Sequence, residues 1–161
     1  MTLRHQVLAE ALRALDQAAT RLDTSWRGLA DLFPLAVEQL ANLAPLELER
    51  LDALAVRYAR CQDLLAPAMR ALARAQLEPK ADSGFLALHA LMEKQGIVTS
   101  TADWERQRGL RNAVGHEYPD PSTIVDLLNG IHAETAAVLM IVERLRVAAS
   151  QCCNRPGDGN D

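Results

Sequence analysis

Apolar residues recur at three- and four-residue steps along almost the whole chain, the spacing that places side chains on one face of an α-helix. The longest stripe, in a helix predicted over about 46–77, consists of Leu51, Leu54, Tyr58, Cys61, Leu65, Ala68, Leu72 and Ala75. Aromatic residues make up only 4% of the chain, and its apolar residues are mostly Leu, Ala and Val. Because Ala and Leu favour helices, the sequence predicts an all-α, antiparallel helical bundle of about five or six helices.

The length of 161 residues suits one domain with one core. We expect the domain to span residues 1–150 and residues 151–161 to form a disordered tail, since the chain ends in Gly, Asn, Asp and Pro with little to bury. Residues that typically begin helices recur along the chain at Asp23 to Ser25, Pro45, Asp82 or Ser83, Ser100 or Thr101, and Asp120 with Pro121.

Charge and cysteine content exclude several classes of protein. The net charge of -4 argues against a large nucleic-acid surface but not against a small local site. The cysteines Cys61, Cys152 and Cys153 form neither a zinc motif nor a disulfide framework. No apolar run approaches the roughly 20 residues that span a bilayer. We therefore expect a cytoplasmic protein with no membrane contact and no metal or other cofactor.

One segment, residues 104–120, departs from the helical pattern. Gly109 and Gly115 interrupt it, and a glycine within a helix costs about 1 kcal/mol relative to alanine. We expect such glycines to mark close backbone approach or a helix end. Pro119 disfavours helical geometry at the residue before it, so the helix is predicted to end between Gly115 and Tyr118.

The end of this predicted helix gathers polar side chains. Helical steps of three and four place Arg108, Arg111 and Tyr118 on one stripe, and Asn112 and His116 on the next. An imidazole exchanges protons near neutral pH, and a guanidinium holds a phosphate through two parallel bonds. The sequence therefore indicates attack at a phosphodiester without a metal. The alternative is that the arginine and histidine only complement the helix dipole.

The segment Arg111-Asn112-Ala113-Val114-Gly115-His116-Glu117-Tyr118 resembles the R-x4-H-x-Y signature of the HEPN superfamily, close to the HepT-type toxins. The segment Arg57-Tyr58-Ala59-Arg60-Cys61-Gln62-Asp63 resembles an earlier helix of these proteins, in which an Arg-x-x-Arg-x-Gln-Asp pattern appears. The resemblance covers roughly residues 40–147.

This resemblance implies a helical bundle that forms a homodimer, brings two motifs to a shared cleft and cleaves RNA without metal. Arg111 and His116 match the catalytic pair, and Asn112 matches the polar residue after the arginine. Tyr118 matches the tyrosine that a partner nucleotidyltransferase antitoxin modifies with AMP. The resemblance therefore predicts an endoribonuclease toxin whose cognate antitoxin is a minimal nucleotidyltransferase.

Other residues have open interpretations. Arg106 and Arg108 are candidates for RNA-binding support. The group Arg57, Arg60 and Asp63 either forms a solvated face or supports the cleft. Trp104 either anchors helix packing or shapes the cleft wall. For the whole chain, the alternatives to a toxin are a non-catalytic HEPN-like subunit that binds a nucleotidyltransferase, and a structural bundle without a site.

Overall fold

A computed structural model describes residues 1–154, which form six α-helices and no β-strand. The helices are α1 (Leu3–Gly28), α2 (Val37–Asn42), α3 (Pro45–Ala75), α4 (Phe85–Lys94), α5 (Thr101–Val114) and α6 (Pro121–Cys153). The predicted all-α bundle is confirmed.

The helices pack as an antiparallel core with the shorter helices at its side. α1 packs most extensively against α3, and α6 packs against both. Two hydrogen bonds show how the two helices run. Arg50, in the first turns of α3, binds the carbonyl of Gly28 at the end of α1, whereas Arg57, farther along α3, binds the carbonyl of Arg21, earlier in α1. α1 and α3 are therefore antiparallel. α5 lies against α3 and α6, and α4 contacts α3.

The first helix is longer than predicted. Asp23 to Ser25 was expected to begin a second helix, but α1 continues through it to Gly28. Thr24 donates its hydroxyl to the carbonyl of Thr20, and Asp23 pairs with Arg27 one turn later, so both polar side chains are satisfied inside the helix. Ser25 is buried and accepts a hydrogen bond from Arg57 of α3, 2.7 Å away. This contact between distant segments overrides the local capping preference.

The other predicted helix starts had mixed outcomes. Pro45 begins α3, Ser100 caps α5 by accepting from the backbone of Asp103, and Asp120 caps α6. The start of α4 was predicted wrongly, because Gly84 precedes the helix and no side chain of residue 82 or 83 caps it. The predicted helix between α1 and α3 is a 3₁₀ turn over Ala30–Leu32 followed by the short α2.

The predicted apolar stripe of α3 forms the centre of the core. All eight of its residues are buried, among them Tyr58 and Cys61 with no exposed surface. Burial raises the pKa of the Cys61 thiol to about 12, so this cysteine stays protonated and acts as a small apolar residue.

Truncation of this stripe should destabilise the protein strongly. Leu54 has no exposed surface, and Leu54→Ala is expected to lower the free energy of unfolding by about 2–5 kcal/mol through lost burial and a residual cavity. Val56 lies two residues away on the same helix and is 61% exposed, so Val56→Ala is expected to change stability by less than about 0.5 kcal/mol. Urea unfolding of both variants measures the difference, and equal stabilities would contradict this description of the core.

α5 is held closely between α3 and α6. A Cβ atom at Gly130 of α6 would lie 2.8 Å from Leu110 Cδ2, so only glycine permits this approach without a shift. On the other side, the buried hydroxyl of Tyr58 donates to the backbone carbonyl of Gln107, 3.1 Å away. Gly109 marks neither a close approach nor a helix end, the two predicted alternatives, because a Cβ atom there would meet nothing within 4 Å and α5 continues to Val114.

The last helix extends beyond the predicted domain boundary. α6 ends at Cys153, so residues 151–153 are helical and the expected tail does not begin at residue 151. The rest of that expectation, residues 155–161, lies outside the described residues. By length and hydropathy alone α6 is also able to cross a bilayer, although the core helices of soluble proteins pass the same test.

Candidate active site at the end of α5

A cluster of four polar side chains joins α3 to α5, and we call Gln62, Asp63, Arg108 and Arg111 the arginine–aspartate cluster. Nε and Nη2 of Arg111 donate to Oδ1 and Oδ2 of Asp63 over 2.6 and 2.8 Å. Nη1 of Arg108 donates to Oε1 of Gln62 and to Oδ1 of Asp63 over 2.6 and 3.0 Å. One carboxylate therefore orients two guanidinium groups, and the parallel pair with Arg111 has the strong bidentate geometry.

The cluster remains accessible to a ligand. The side chains of Arg108, Arg111 and Asp63 are 37%, 30% and 41% exposed. Within residues 1–154, Nη1 of Arg111 and both Nε and Nη2 of Arg108 have no hydrogen-bond partner. Because these nitrogens carry hydrogens that are not used within the cluster, the cluster retains donors for an anion while its arginines stay fixed.

The cluster also changes the protonation equilibrium of its carboxylate. Hydrogen bonds from Arg111 lower the pKa of Asp63 most, burial opposes them, and Arg108 lowers the pKa further, so that it lies below its ordinary value. The same pairing raises the pKa of Arg111. Since the folded-state pKa of Asp63 lies below the unfolded value, the stabilising effect of the pair is present above about pH 4 and is lost as the pH falls through the folded pKa.

This pairing is measurable by NMR. The carboxyl carbon of Asp63 should titrate with a midpoint below 3.8, the ordinary value of an aspartate side chain. In Arg111→Gln the midpoint should rise, because the hydrogen bonds with the largest effect are removed, while Arg108 keeps part of the effect. Arg27→Gln, which changes an exposed arginine of α1, serves as the control and should leave the Asp63 midpoint unchanged. An Asp63 midpoint that is the same with and without Arg111 would contradict the pairing.

The residues after Arg111 lie at the exposed end of α5. The helix ends at Val114, one residue before the predicted range, and Gly115 is its C-cap. His116 is exposed, and its ring lies 6.2 Å from that of the half-buried Tyr118 between centroids. Neither side chain, nor that of the exposed Asn112, makes a hydrogen bond within the described part of the chain. All three are therefore available to a substrate or partner.

The structure separates Arg106 from the arginine–aspartate cluster. Its guanidinium turns toward α6 and pairs with Glu134 and Asp103, each over 2.6 Å. These pairs raise the pKa of Arg106, and Thr99 and Arg106 together lower that of Asp103 to about 2. Because two carboxylates neutralise it, Arg106 does not add positive charge to the cluster.

The two other candidate arginines also lie apart from the cluster. Arg57 faces α1 and binds the hydroxyl of Ser25 and the carbonyl of Arg21, so it supports helix packing rather than a cleft. Arg60 is exposed and pairs with no carboxylate among residues 1–154. Of the predicted group of three, only Asp63 joins Arg108 and Arg111.

Gln62 is a cluster residue that was not among the predicted site residues, although it lies in the first segment that resembles the HEPN superfamily. It has no exposed surface, its Oε1 accepts from Arg108, and its Nε2 has no partner in residues 1–154. The available signal was its position, since Gln62 lies four residues after Tyr58 and three before Leu65 on the buried stripe of α3. A polar residue on such a stripe usually has a specific partner.

Residues 1–154 contain no group of three or more His, Cys, Asp or Glu side chains arranged to hold a metal ion.

Comparison with known proteins adds no family assignment, because no protein-family model, curated protein or solved structure matches this chain. A function for this chain is therefore inferred from the geometry of the site and from the resemblance of residues 57–63 and 111–118 to the HEPN superfamily.

Proposed function

We propose that this chain is an endoribonuclease toxin of a toxin–antitoxin pair, acting in the cytoplasm as a homodimer with its site at the end of α5. One observation carries the proposal. Gln62 and Asp63, from the first segment that resembles the HEPN superfamily, bind Arg108 beside the second segment and Arg111 within it. Two stretches that are 45 or more residues apart thus contribute to one polar site, and the exposed His116 follows Arg111 in the chain just after the end of α5.

The chemistry follows from the groups present. His116 would take the proton of a ribose 2′-hydroxyl as that oxygen attacks the adjacent phosphorus. The new bond joins phosphorus to the 2′-oxygen, the bond to the 5′-oxygen breaks, and the leaving oxygen takes a proton, which the imidazole of the second copy would supply. The products would be a 2′,3′-cyclic phosphate and a 5′-hydroxyl, and the need for a 2′-hydroxyl restricts the substrate to RNA.

Arg111 would stabilise the charge that develops on the phosphate in this reaction. Two of its nitrogens are held by Asp63, and Nη1 remains for a phosphate oxygen. An arginine that is already oriented loses less side-chain entropy when it binds, and preorganised donors stabilise a transition state most effectively. Asn112 would orient the ribose or the imidazole from the same helix end.

Expression in a bacterial host tests this proposal. The wild-type chain should arrest growth and degrade cellular RNA, whereas His116→Ala and Arg111→Ala should do neither at equal protein levels. Harmless wild-type protein that also leaves RNA intact when purified would reject the enzyme and favour the alternative.

The alternative is a non-catalytic HEPN-like subunit that binds a minimal nucleotidyltransferase. Two observations favour it: the chain has a net charge of -4, and Asp63 occupies two of the nitrogens of Arg111 that a phosphate would otherwise use. A small nucleotidyltransferase reading frame beside the gene would agree with both functions. Cleavage of RNA by the purified protein would agree only with the first.

Tyr118 should be the point of control by the antitoxin. Its hydroxyl makes no hydrogen bond within residues 1–154, and its ring lies beside that of His116. Transfer of AMP from ATP to this oxygen, with release of pyrophosphate, would add a negative charge and bulk where RNA binds. After co-expression with the neighbouring nucleotidyltransferase, mass spectrometry should find adenylyl groups on Tyr118 and none in Tyr118→Phe. Unmodified Tyr118 in a neutralised pair would contradict this mode of control.

A further inference from the structure

A cavity of about 370 Å³ opens directly beside the arginine–aspartate cluster. Phe85 of α4 and Trp104 of α5 line it together with Asp63, Arg108 and Ala66. The two rings stack on each other, with centroids 5.4 Å apart and planes inclined by 27°, and Trp104 is only 6% exposed. The cavity therefore combines aromatic side chains, mainly the half-buried Phe85, with a guanidinium and a carboxylate.

The polar side of the cavity has unused hydrogen-bonding capacity. Nη1 of Arg108 is occupied by Gln62 and Asp63, whereas its Nε and Nη2 contact no acceptor in residues 1–154. Oδ1 of Asp63 accepts from both arginines, but Oδ2 accepts from Arg111 alone. Since a carboxylate oxygen has two lone-pair directions, the cavity offers donors from Arg108 and an acceptor from Asp63.

We propose that this cavity binds one unstacked nucleobase of the RNA, with guanine preferred, so that the base sits beside the scissile phosphate. The proposal rests on the proposed function for its choice of ligand. Aromatic side chains and arginine planes are the usual surfaces on which proteins stack the bases of single-stranded RNA. Neighbouring Arg111 would hold the phosphate of the same strand.

Guanine fits the polar side better than the other bases. Its O6 and N7 are acceptors that match an arginine, and its N1 and N2 groups are donors that match a carboxylate. Adenine and cytosine carry an amino group where guanine carries O6. This amino donor would face the N–H donors of Arg108, and no hydrogen bond could form between them. Uracil also has an adjacent acceptor and donor, O4 and N3–H, but only guanine adds a second acceptor, N7, for the two unpaired nitrogens of Arg108. The pair of Arg108 and Asp63 therefore favours guanine.

Fluorescence binding of short RNAs tests this inference without requiring cleavage. The protein carries His116→Ala, so that RNA stays intact, and Trp26→Phe, so that Trp104 is the only tryptophan of the chain. The probes are hexauridylate and two hexamers with one central guanosine or adenosine. The guanosine hexamer should quench Trp104 and bind roughly tenfold more tightly than hexauridylate, as expected for one stacked base. Phe85→Leu should remove this advantage, and Phe85→Tyr should keep it.

Leu86→Ala is the matched control, because Leu86 is 76% exposed on the same helix and does not line the cavity. Equal binding of all three hexamers, or a guanosine advantage that persists in Phe85→Leu, would overturn the proposal. Equal binding of the guanosine and adenosine hexamers would overturn the assignment of guanine. If the wild type cleaves RNA but Phe85→Leu does not change guanosine binding, only the base site is rejected. If the protein binds the guanosine hexamer preferentially but the wild type cleaves no RNA, only the proposed enzyme is rejected.

Discussion

Replacing His116 by alanine should lower the single-turnover rate of RNA cleavage about a hundredfold to ten-thousandfold, the contribution of one general acid or base. The imidazole is the side chain that the proposed mechanism uses for proton transfer, and it is exposed. The fold should not change, because no hydrogen bond of the described chain depends on this side chain. The rate should be measured at saturating enzyme with a labelled RNA, together with the melting temperature.

Glu117→Gln is a suitable control for this variant. Glu117 is the next residue, it is exposed, and it lies in the same connection between α5 and α6. Its substitution removes one charge without removing a proton-transfer group, so the rate should change little. Equal losses in the two variants would indicate a general effect on this segment, and a fully active His116→Ala protein would remove histidine from the mechanism.

Replacing Arg111 by alanine should lower the cleavage rate about a hundredfold to a thousandfold, the usual effect of deleting one preorganised donor to a developing charge. Stability should fall less than activity, because Asp63 is 41% exposed and keeps Arg108 as a partner. Arg111→Lys should recover only part of the rate, since an ammonium group keeps the charge but loses the planar fork that Asp63 orients.

Arg106→Gln separates this specific effect from a loss of overall positive charge. Arg106 lies on the same helix and also forms ion pairs, but its side chain is directed to Glu134 and Asp103. We expect RNA cleavage close to the wild-type rate. A loss as large as that of Arg111→Ala would mean that the field of the whole helix, rather than the position of one guanidinium, governs catalysis.

The parts of the fold that depend on residues close together in the sequence were predictable from the sequence. The buried stripe of α3 follows from helical periodicity, and the caps at Ser100 and Asp120 follow from hydrogen bonds within the same turn. The predicted break at Asp23 to Ser25 was wrong because the buried Ser25 is satisfied by Arg57, which is 32 residues away. Local propensity contains no information about such a partner.

The candidate site was predictable in part for the same reason. Spacing on one helix placed Arg108 and Arg111 on a common stripe, and both contact Asp63 in the structure. Their carboxylate partner lies on α3, so periodicity did not reveal which acidic residue they share. Predicting the cavity that Phe85 lines would have required the relative positions of α3, α4 and α5, which arise only from tertiary packing.

The central claim is that the accessible guanidinium and imidazole at the end of α5 cut RNA by internal attack of the ribose. The most direct measurement is end-group analysis of RNA incubated with the purified wild-type protein in excess EDTA, beside an identically purified His116→Ala preparation. We predict fragments with 2′,3′-cyclic phosphate and 5′-hydroxyl ends from the wild type alone. Intact RNA, or the same fragments from both preparations, would contradict the claim.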